Sequence, residues 1–227
     1  MTKRFEEQLK PFRYNGQPVK FRLGTLMIIG FSVILIIMAT FTELHFKHLY
    51  IPLDIFSNWG YYFSYDGVDS SEFIKSVRYI PQVPVIFFIL GLLDKKYAII
   101  TVLLYITLGV AGYPIFAMGG GWRYIFQYGS GYILAYFPAL YFAGSILNRR
   151  YNFANVLKSV IAGIIIINII GILVLLIIAC LRHENWSVIK NLLYSFSGFK
   201  FIYDIIFGVL AVYLSLGVKR IFWIIMN

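Results

Sequence analysis

The stretch from Gly109 to Gly144 reads GVAGYPIFAMGGGWRYIFQYGSGYILAYFPALYFAG, and the rest of the chain is arranged around it. It begins at the end of one long apolar run and ends inside the next. Between the two runs lie three consecutive glycines, Gly119, Gly120 and Gly121. Glycine permits close backbone approach and positive φ without strain, and irregular backbone at membrane depth occurs only where protein packs around it or where it lines a cavity. The stretch therefore predicts a tightly packed re-entrant turn or the floor of a binding site, and the alternative is a simple connector between two helices.

The composition of the 227 residues is typical of a membrane protein. Hydrophobic residues make up 60% of the chain and the mean hydropathy is +0.78, which leaves too few polar residues to cover a soluble surface. The net charge of +10 does not indicate nucleic-acid binding, because the basic residues stand at the ends of apolar runs, as topology signals do. The one cysteine, Cys180, allows no internal disulfide. We therefore expect a chain embedded in membrane lipid that binds no nucleic acid.

Six apolar segments predict an all-α integral membrane protein with a bundle of six transmembrane helices. About 20 apolar residues span the ~30 Å hydrocarbon core of a bilayer, and the first segment, Leu23 to Phe41, has that length. The six segments are residues 23–41, 81–93, 97–110, 132–147, 160–181 and 201–218. They form one predicted transmembrane domain, residues 23–220, between a polar N-terminal tail at 1–22 and a short C-terminal tail at 221–227.

The distribution of Lys and Arg predicts that both termini are cytoplasmic. Cytoplasmic segments of membrane proteins carry an excess of these residues, and with the N-terminus inside, the basic tail and three basic pairs lie on that side. The pairs are Lys95–Lys96, Arg149–Arg150 and Lys219–Arg220. Residues 43–80 are acidic and rich in aromatic side chains, which predicts an extracytoplasmic insertion at the membrane interface. We expect a multi-pass protein of the cell (inner or plasma) membrane.

Asp204 is the acid that the sequence places inside a membrane-spanning helix. A carboxylate at the centre of a transmembrane helix costs ~2.5–3.5 kcal/mol on insertion scales, so such a residue faces the protein interior and has a function. The alternative is an interfacial aspartate near the helix N-terminus, where the helix dipole favours a negative charge. Lys200 stands four residues earlier, on the same predicted helix face. We predict that both residues contribute to a substrate site.

Four further residues are candidates for substrate contact. Arg123 is the basic residue of the glycine stretch and would pair with a substrate carboxylate, or anchor the chain at the interface beside Trp122. Asn168 interrupts a long aliphatic run and must point inward, toward a ligand or toward another helix. Tyr105 and Tyr132 would supply aromatic walls that carry a hydroxyl group. Each assignment is open between the ligand and a structural partner.

The sequence carries no catalytic motif. The three histidines are not accompanied by a second metal-ligating group at a known spacing, so we predict no metal site and no cofactor. Ser130, between two glycines, would suit an intramembrane serine protease, but the later helices contain no histidine to act as its base. There is no Walker motif in the sequence. Transport driven by ATP would therefore need a motor on another polypeptide.

The glycine stretch and its flanks resemble the BioY proteins, the biotin-binding S components of energy-coupling-factor transporters. That family has a Tyr-rich helix leading into G-L/V-x-G-x-P-V-F-A, then a Gly-rich turn, a second short turn and G-Y before an apolar helix. The matching residues here are Tyr105, Gly109, Gly112, Pro114, Ile115, Phe116, Ala117, the three glycines, Gly131 and Tyr132. Upstream, V-P-V followed by L-G-L-L-D-K-K at 83–96 is similar to the family's V-P-I-T-L-Q and G-L-L-L-G-P-K.

The last apolar segment is similar to the family motif F-x-P-G-D-L-I-K, whose Asp and Lys line the biotin pocket. Asp204 matches the acid, Ile202 and Tyr203 replace Pro-Gly, and Phe207 stands in place of the lysine. The resemblance implies a membrane-embedded subunit that binds biotin or a related small vitamin. It also implies a transmembrane coupling subunit and ATP-binding subunits as partners. The alternative is a non-transport membrane enzyme or structural subunit that shares only the Gly-rich helix packing.

Overall fold

The computed structural model describes residues 23–49, 74–147 and 152–226, and these residues are mostly helical. In chain order the elements are α1 (Leu23–Phe41), β1 (Leu44–Leu49), β2 (Ile74–Tyr79), α2 (Gln82–Val110), a 3₁₀ helix (Trp122–Phe126), α3 (Ser130–Leu134), α4 (Tyr136–Leu147), α5 (Phe153–Leu181), α6 (Trp186–Ser197) and α7 (Lys200–Met226). The predicted tail at 1–22 and the middle of the predicted insertion lie outside the described residues. The first predicted helix has the bounds of α1.

A pair of strands was not part of the all-α prediction. β1 and β2 pair antiparallel, with Leu44 opposite Tyr79 and Leu49 opposite Ile74. An exposed ion pair joins Arg78 to Glu43 at 3.5 Å, beside the end where the hairpin meets the helices. The hairpin thus holds the two ends of the predicted insertion together and places Tyr79 just before the start of α2.

Residues 81–93 and 97–110, which were predicted as two helices, form the two arms of α2. The helix is interrupted at Asp94, whose φ of 64° and ψ of 166° are not helical. The carboxylate of Asp94 accepts a hydrogen bond from the Lys219 ammonium at 2.9 Å. The next residue, Lys95, donates to the Ser145 hydroxyl at 2.8 Å. The change of direction is therefore held by contacts with α7 and α4.

Proline also divides the helix that was predicted over 132–147. α3 ends at Leu134 and α4 begins at Tyr136. Pro138 has no backbone N–H for the carbonyl of residue 134, and its ring crowds that carbonyl. The helix is interrupted at Ala135 because Pro138 cannot donate the hydrogen bond that would continue it.

Four described segments are long and apolar enough to cross a membrane. They are Leu23–Phe41, Ser130–Leu147, Phe153–Leu181 and Trp186–Ile221. α2 is not among them and carries three charged residues, Asp94, Lys95 and Lys96, at its midpoint. The fourth segment joins α6 to α7, so the polar link predicted over 182–200 contains a helix of 12 residues.

The core is formed where α2 packs against α7 and α1, and where α4 and α3 pack against α5. Fully buried side chains at these contacts include Phe87 and Leu90 on α2, Val160 on α5 and Val212 on α7. α2 and α7 approach closely at Gly91, where an added Cβ would lie 1.9 Å from the Ser215 hydroxyl oxygen. Small residues at such crossings allow helix backbones to pack in a membrane.

α7 continues to Met226, beyond the predicted end at 218. The pair Lys219–Arg220 was interpreted as the end of the helix. The Lys219 side chain instead reaches Asp94 across the helix pair, and the apolar residues after Arg220 remain helical. A basic pair marks the side of the membrane, but it does not by itself end a helix.

Candidate functional site

Asp204 is buried on α7, and its carboxylate is bound by a phenol from the hairpin. The side chain is 4% exposed, and Tyr79 Oη donates to Asp204 Oδ1 at 2.8 Å. Tyr79 is fully buried at the end of β2. Burial raises the pKa of the Tyr79 phenol, and the charge of Asp204 raises this pKa further. The phenol therefore stays protonated and is the donor in this hydrogen bond.

Lys200 is the charged neighbour of Asp204. It is half-buried at the first position of α7, one helical turn before Asp204 and on the same face. Its ammonium interacts electrostatically with the Asp204 carboxylate. Among the described residues, Asp204 is the one charged side chain that is buried. Tyr79 and Lys200 together offset the cost of burying that charge.

A second group of buried polar side chains surrounds the amide of Gln82. Its Nε2 donates to the Thr40 hydroxyl and to Tyr105 Oη, the latter at 3.3 Å. Its Oε1 accepts from Tyr136 Oη at 3.0 Å. Thr40 also donates to the Ile36 carbonyl at 2.8 Å, which anchors the group on α1. α1, α2 and α4 therefore meet at one hydrogen-bonded cluster inside the bundle.

The two groups adjoin each other. The charge of Asp204 interacts with the Tyr136 phenol, and Tyr136 also contributes to the electrostatic environment of Tyr79. Together, Tyr79, Asp204, Gln82 and Tyr136 form what we term the polar cluster. It presents a carboxylate acceptor, an amide and two phenols within the protein interior. Such convergent polar groups in an apolar surrounding are what a small-molecule site needs for orientation and specificity.

The glycine turn packs tightly, as one of its two predicted roles requires. Gly119 and Gly121 have φ of 105° and 95°, which disfavour any residue with a side chain. A Cβ on Gly120 would lie 2.0 Å from the Tyr113 carbonyl oxygen. The Gly121 amide donates to the Gly109 carbonyl at 2.7 Å. The turn is thus closed by backbone contacts rather than serving as a loose connector.

The glycine turn also reaches the polar groups through Tyr105. The Tyr105 hydroxyl donates to the Ile115 carbonyl at 3.4 Å. Its ring meets the buried Phe116 ring edge-on, with 5.3 Å between centroids. Phe116 in turn packs against Tyr124 of the 3₁₀ helix at 4.4 Å. Of the two tyrosines predicted as aromatic walls, Tyr105 lies beside the polar cluster, because its hydroxyl also accepts a hydrogen bond from Gln82.

Three predicted site residues make their described contacts elsewhere. The Arg123 side chain is exposed, 5.8 Å from the ring of Trp122, which fits the interfacial alternative. Tyr132 hydrogen-bonds to Ser197 Oγ at 2.6 Å and stacks on the ring of Phe196. Asn168 donates to the Ile164 carbonyl at 2.9 Å, one turn back in its own helix. The structure does not bring these side chains into contact with Asp204.

Gln82, Tyr79, Tyr136 and Thr40 were not among the predicted site residues. Each is a polar group inside or next to an apolar run, where a buried side chain must find a hydrogen-bond partner. Gln82 carried the clearest signal, since it lies between Pro81 and an apolar helix. Its partners come from α1 and α4, far away in sequence, so the cluster depended on packing that periodicity does not give.

The described residues do not assemble a metal site, and Ser130 has a structural hydrogen bond. Within residues 23–49, 74–147 and 152–226, no three His, Cys, Asp or Glu side chains come together to hold a metal ion. Ser130 is buried, and its hydroxyl donates to the Ile125 carbonyl at 2.7 Å. That hydrogen bond connects the start of α3 to the 3₁₀ helix, which is a structural role.

Comparison with known proteins gives three findings. The model that describes the BioY family matches residues 71–223, two-thirds of the chain. The biotin transporter BioY of Thermotoga maritima is 32% identical over 100 residues. These residues are 44% of this chain and 59% of that relative, so the match spans little more than half of the relative's length. A crystal structure of the S-component for biotin from an ECF-type ABC transporter superposes with a TM-score of 0.59 and 20% identity, over 87% of this chain and 92% of that one. The structural likeness at this identity concerns the fold.

Proposed function

This chain belongs to the BioY family, and on that premise we propose that it is the membrane-embedded substrate-binding subunit for uptake of biotin or a related small vitamin. It is a multi-pass membrane protein whose family and fold are those of a transporter component. The observation that carries the proposal is the buried Asp204 carboxylate, which is bound by Tyr79 and adjoins the amide and phenol of Gln82 and Tyr136. The alternative of a non-transport enzyme has no comparable support in the described residues.

The polar cluster has the hydrogen-bonding groups that a cyclic urea requires. The N–H groups of such a ring need an acceptor, and the Asp204 carboxylate supplies a charged one. Its carbonyl needs donors, and the Tyr136 phenol and the Gln82 amide supply these. A hydrogen bond to a charged partner contributes ~1.5–3 kcal/mol. In the structure these groups hydrogen-bond to one another, so binding would exchange internal hydrogen bonds for bonds to the ligand.

We also propose six membrane crossings with both termini in the cytoplasm. Four crossings correspond to the long apolar segments, and the two arms of α2 on either side of Asp94 supply the others. The basic residues Lys95, Lys96, Lys219 and Arg220 then lie on the cytoplasmic side, as the positive-inside rule requires. In this topology the hairpin and α6 are extracytoplasmic, and Asp204 lies near the outer end of α7. The membrane is the cell (inner or plasma) membrane.

The partners that we propose are a transmembrane coupling subunit and ATP-binding subunits, with membrane lipid around the bundle. The sequence has no Walker motif for ATP hydrolysis. Secondary transporters carry ionisable relays and two related, interrupted halves, whereas Asp204 is the one buried charge of the described residues. A subunit of this kind binds the vitamin, and the partners energise its release inside the cell.

Binding of labelled biotin to the purified chain in detergent tests the proposal. Asp204→Ala should weaken binding by about ten- to hundredfold, which corresponds to the ~1.5–3 kcal/mol of a charged hydrogen bond. Ser215→Ala is the matched control, because Ser215 is also buried on α7 and, in the described contacts, donates to the Val212 carbonyl of its own helix. Alanine variants of Arg123, Tyr132, Asn168 and Lys200 test their predicted contact with the ligand. Failure of the unaltered chain to bind biotin, or wild-type affinity in a folded Asp204→Ala protein, would exclude the proposed site.

A further inference from the structure

Tyr124, on the 3₁₀ helix, is a buried tyrosine whose hydroxyl has no hydrogen-bond partner among the described residues. The residue is 8% exposed, so solvent does not replace the missing partner. The other buried tyrosines of the described residues are all hydrogen-bonded: Tyr79 to Asp204, Tyr105 and Tyr136 to Gln82, and Tyr132 to Ser197. A buried donor without a partner destabilises a protein, and such a group in a native structure calls for an explanation.

The glycine turn and the 3₁₀ helix hold Tyr124 in this position. Its amide donates to the Gly121 carbonyl at 3.0 Å, and its own carbonyl accepts from the Gln127 amide at 2.9 Å. Its ring packs on the ring of Phe116, with 4.4 Å between centroids. Phe116 in turn fits against Gly109, where an added Cβ would lie 2.0 Å from the phenyl ring. Backbone hydrogen bonds and ring packing therefore set the position of the Tyr124 hydroxyl.

The Tyr124 hydroxyl adjoins the polar cluster. The Tyr136 phenol interacts electrostatically with both Asp204 and Tyr124. Tyr105, which lies beside the polar cluster, is the electrostatic neighbour of Tyr124. The open hydroxyl is therefore on the side of the cluster where Tyr136 and Tyr105 lie, and Tyr136 stands between it and the carboxylate in this set of interactions.

Tyr124 is suited to donate to an uncharged acceptor. Burial raises the pKa of the Tyr124 phenol, so the hydroxyl keeps its proton. The Tyr136 hydroxyl donates to Gln82 Oε1 at 3.0 Å and must give up this bond to reach a ligand, whereas Tyr124 gives up none. Its electrostatic neighbour, Tyr105, is an uncharged phenol. An ionised carboxylate placed there would lose its hydration without gaining a cation, which favours a carbonyl oxygen.

We propose that the Tyr124 hydroxyl donates a hydrogen bond to the ring carbonyl of the ligand whose N–H groups bind Asp204, and that it selects ligands with an oxygen acceptor at that position. The inference rests on the proposed function, since it assumes that a cyclic urea occupies the polar cluster. The ligand carbonyl then supplies the partner that Tyr124 lacks in the structure. The glycine turn contributes to binding by holding this donor in place.

The test compares the dissociation constants of biotin and 2-thiobiotin, in which sulfur replaces the ring carbonyl oxygen, for the purified chain and for Tyr124→Phe. Sulfur is a weak acceptor, so the variant should lose about two- to tenfold in affinity for biotin, the range of an uncharged hydrogen bond. Its affinity for 2-thiobiotin should change little. The melting temperature of the ligand-free variant should stay the same or rise, because the substitution removes a buried donor that has no partner.

Tyr128→Phe is the matched control. Tyr128 lies in the same segment, and its hydroxyl donates to the Glu184 carboxylate at 2.6 Å. Because this substitution breaks an existing hydrogen bond, it should lower the melting temperature. It should leave the ratio of the two dissociation constants unchanged. The two variants thus separate loss of a ligand contact from loss of a structural hydrogen bond.

Three results would overturn the inference while the proposed function stands. The first is an unchanged biotin affinity in Tyr124→Phe. The second is an equal loss of affinity for biotin and 2-thiobiotin, which would place the hydroxyl away from the carbonyl. The third is a lower melting temperature or a failure to fold, which would give the hydroxyl a structural partner. If the unaltered chain binds neither compound, the proposed function fails together with the inference.

Discussion

Replacing Tyr79 with Phe should change stability and ligand affinity in opposite directions. The substitution keeps the ring that packs against Phe207 and removes only the hydroxyl that donates to Asp204 at 2.8 Å. Both side chains are buried, at 0% and 4% exposure, so solvent does not replace the lost donor. A hydrogen bond to a charged group contributes ~1.5–3 kcal/mol. The free energy of unfolding of the ligand-free protein should fall by about that amount.

The same substitution should strengthen binding. In the unaltered protein, a ligand N–H must displace the Tyr79 hydroxyl from Asp204, and part of its own hydrogen-bond energy is spent on that exchange. In Tyr79→Phe the carboxylate has no such competitor. Up to the same ~1.5–3 kcal/mol then appears as affinity, which corresponds to about ten- to hundredfold tighter binding.

Two measurements on one preparation check this prediction. Thermal unfolding in detergent should show a melting temperature about 3–12 °C lower for Tyr79→Phe, at ~2–4 °C per kcal/mol for a chain of this size. Titration with labelled biotin should show the gain in affinity. Tyr203→Phe is the control, because Tyr203 stacks in the same aromatic group and is not a donor to Asp204 in the described contacts. Weaker binding by Tyr79→Phe would refute the displacement and make Tyr79 a direct ligand contact.

Two further predictions concern the glycine turn and the need for partners. Gly120→Ala should lower the melting temperature and weaken biotin binding, because its Cβ would lie 2.0 Å from the Tyr113 carbonyl oxygen. Gly24→Ala is the control and should do neither, since no atom lies within 4 Å of its new Cβ. Equal melting temperatures for the two variants would show that the turn accommodates a side chain at Gly120. Sealed vesicles that contain the purified chain alone should bind labelled biotin without concentrating it under an imposed proton gradient, and accumulation above equilibrium would contradict the proposed dependence on ATP-driven partners.

Sequence periodicity and composition were sufficient to predict a mostly helical membrane protein and the burial of Asp204. The bounds of α1 agree with the prediction, because a 19-residue apolar run has one structural solution in a membrane. The burial of Asp204 also followed from the cost of exposing a carboxylate to lipid. The packed glycine turn agrees with one of the interpretations of Gly119 to Gly121.

The same reasoning could not predict the hairpin or the polar cluster. β1 is six residues long. Its weak alternation of Leu44 and Phe46 with polar neighbours does not identify a strand unless its pairing with β2 is known. Gln82 unites Thr40, Tyr105 and Tyr136, which come from helices separated by up to 96 positions in sequence. A single sequence indicates that such polar groups must be satisfied, but the identity of their partners depends on how the helices pack.

The links between α7 and the β2–α2 unit explain how a ligand can bind without separating the helices. At one end Tyr79 donates to Asp204, and at the other Lys219 donates to Asp94, both across 125 residues of sequence. The first link lies within the polar cluster, and we propose that a ligand N–H replaces it. The second joins the interruption of α2 to α7 at 2.9 Å, remote from the cluster along the helix. Close packing at Gly91 and Ser215 lies on the same side as the second link. Ligand binding at Asp204, as proposed, would act on the hairpin end alone, while the other end would keep α2 and α7 in register.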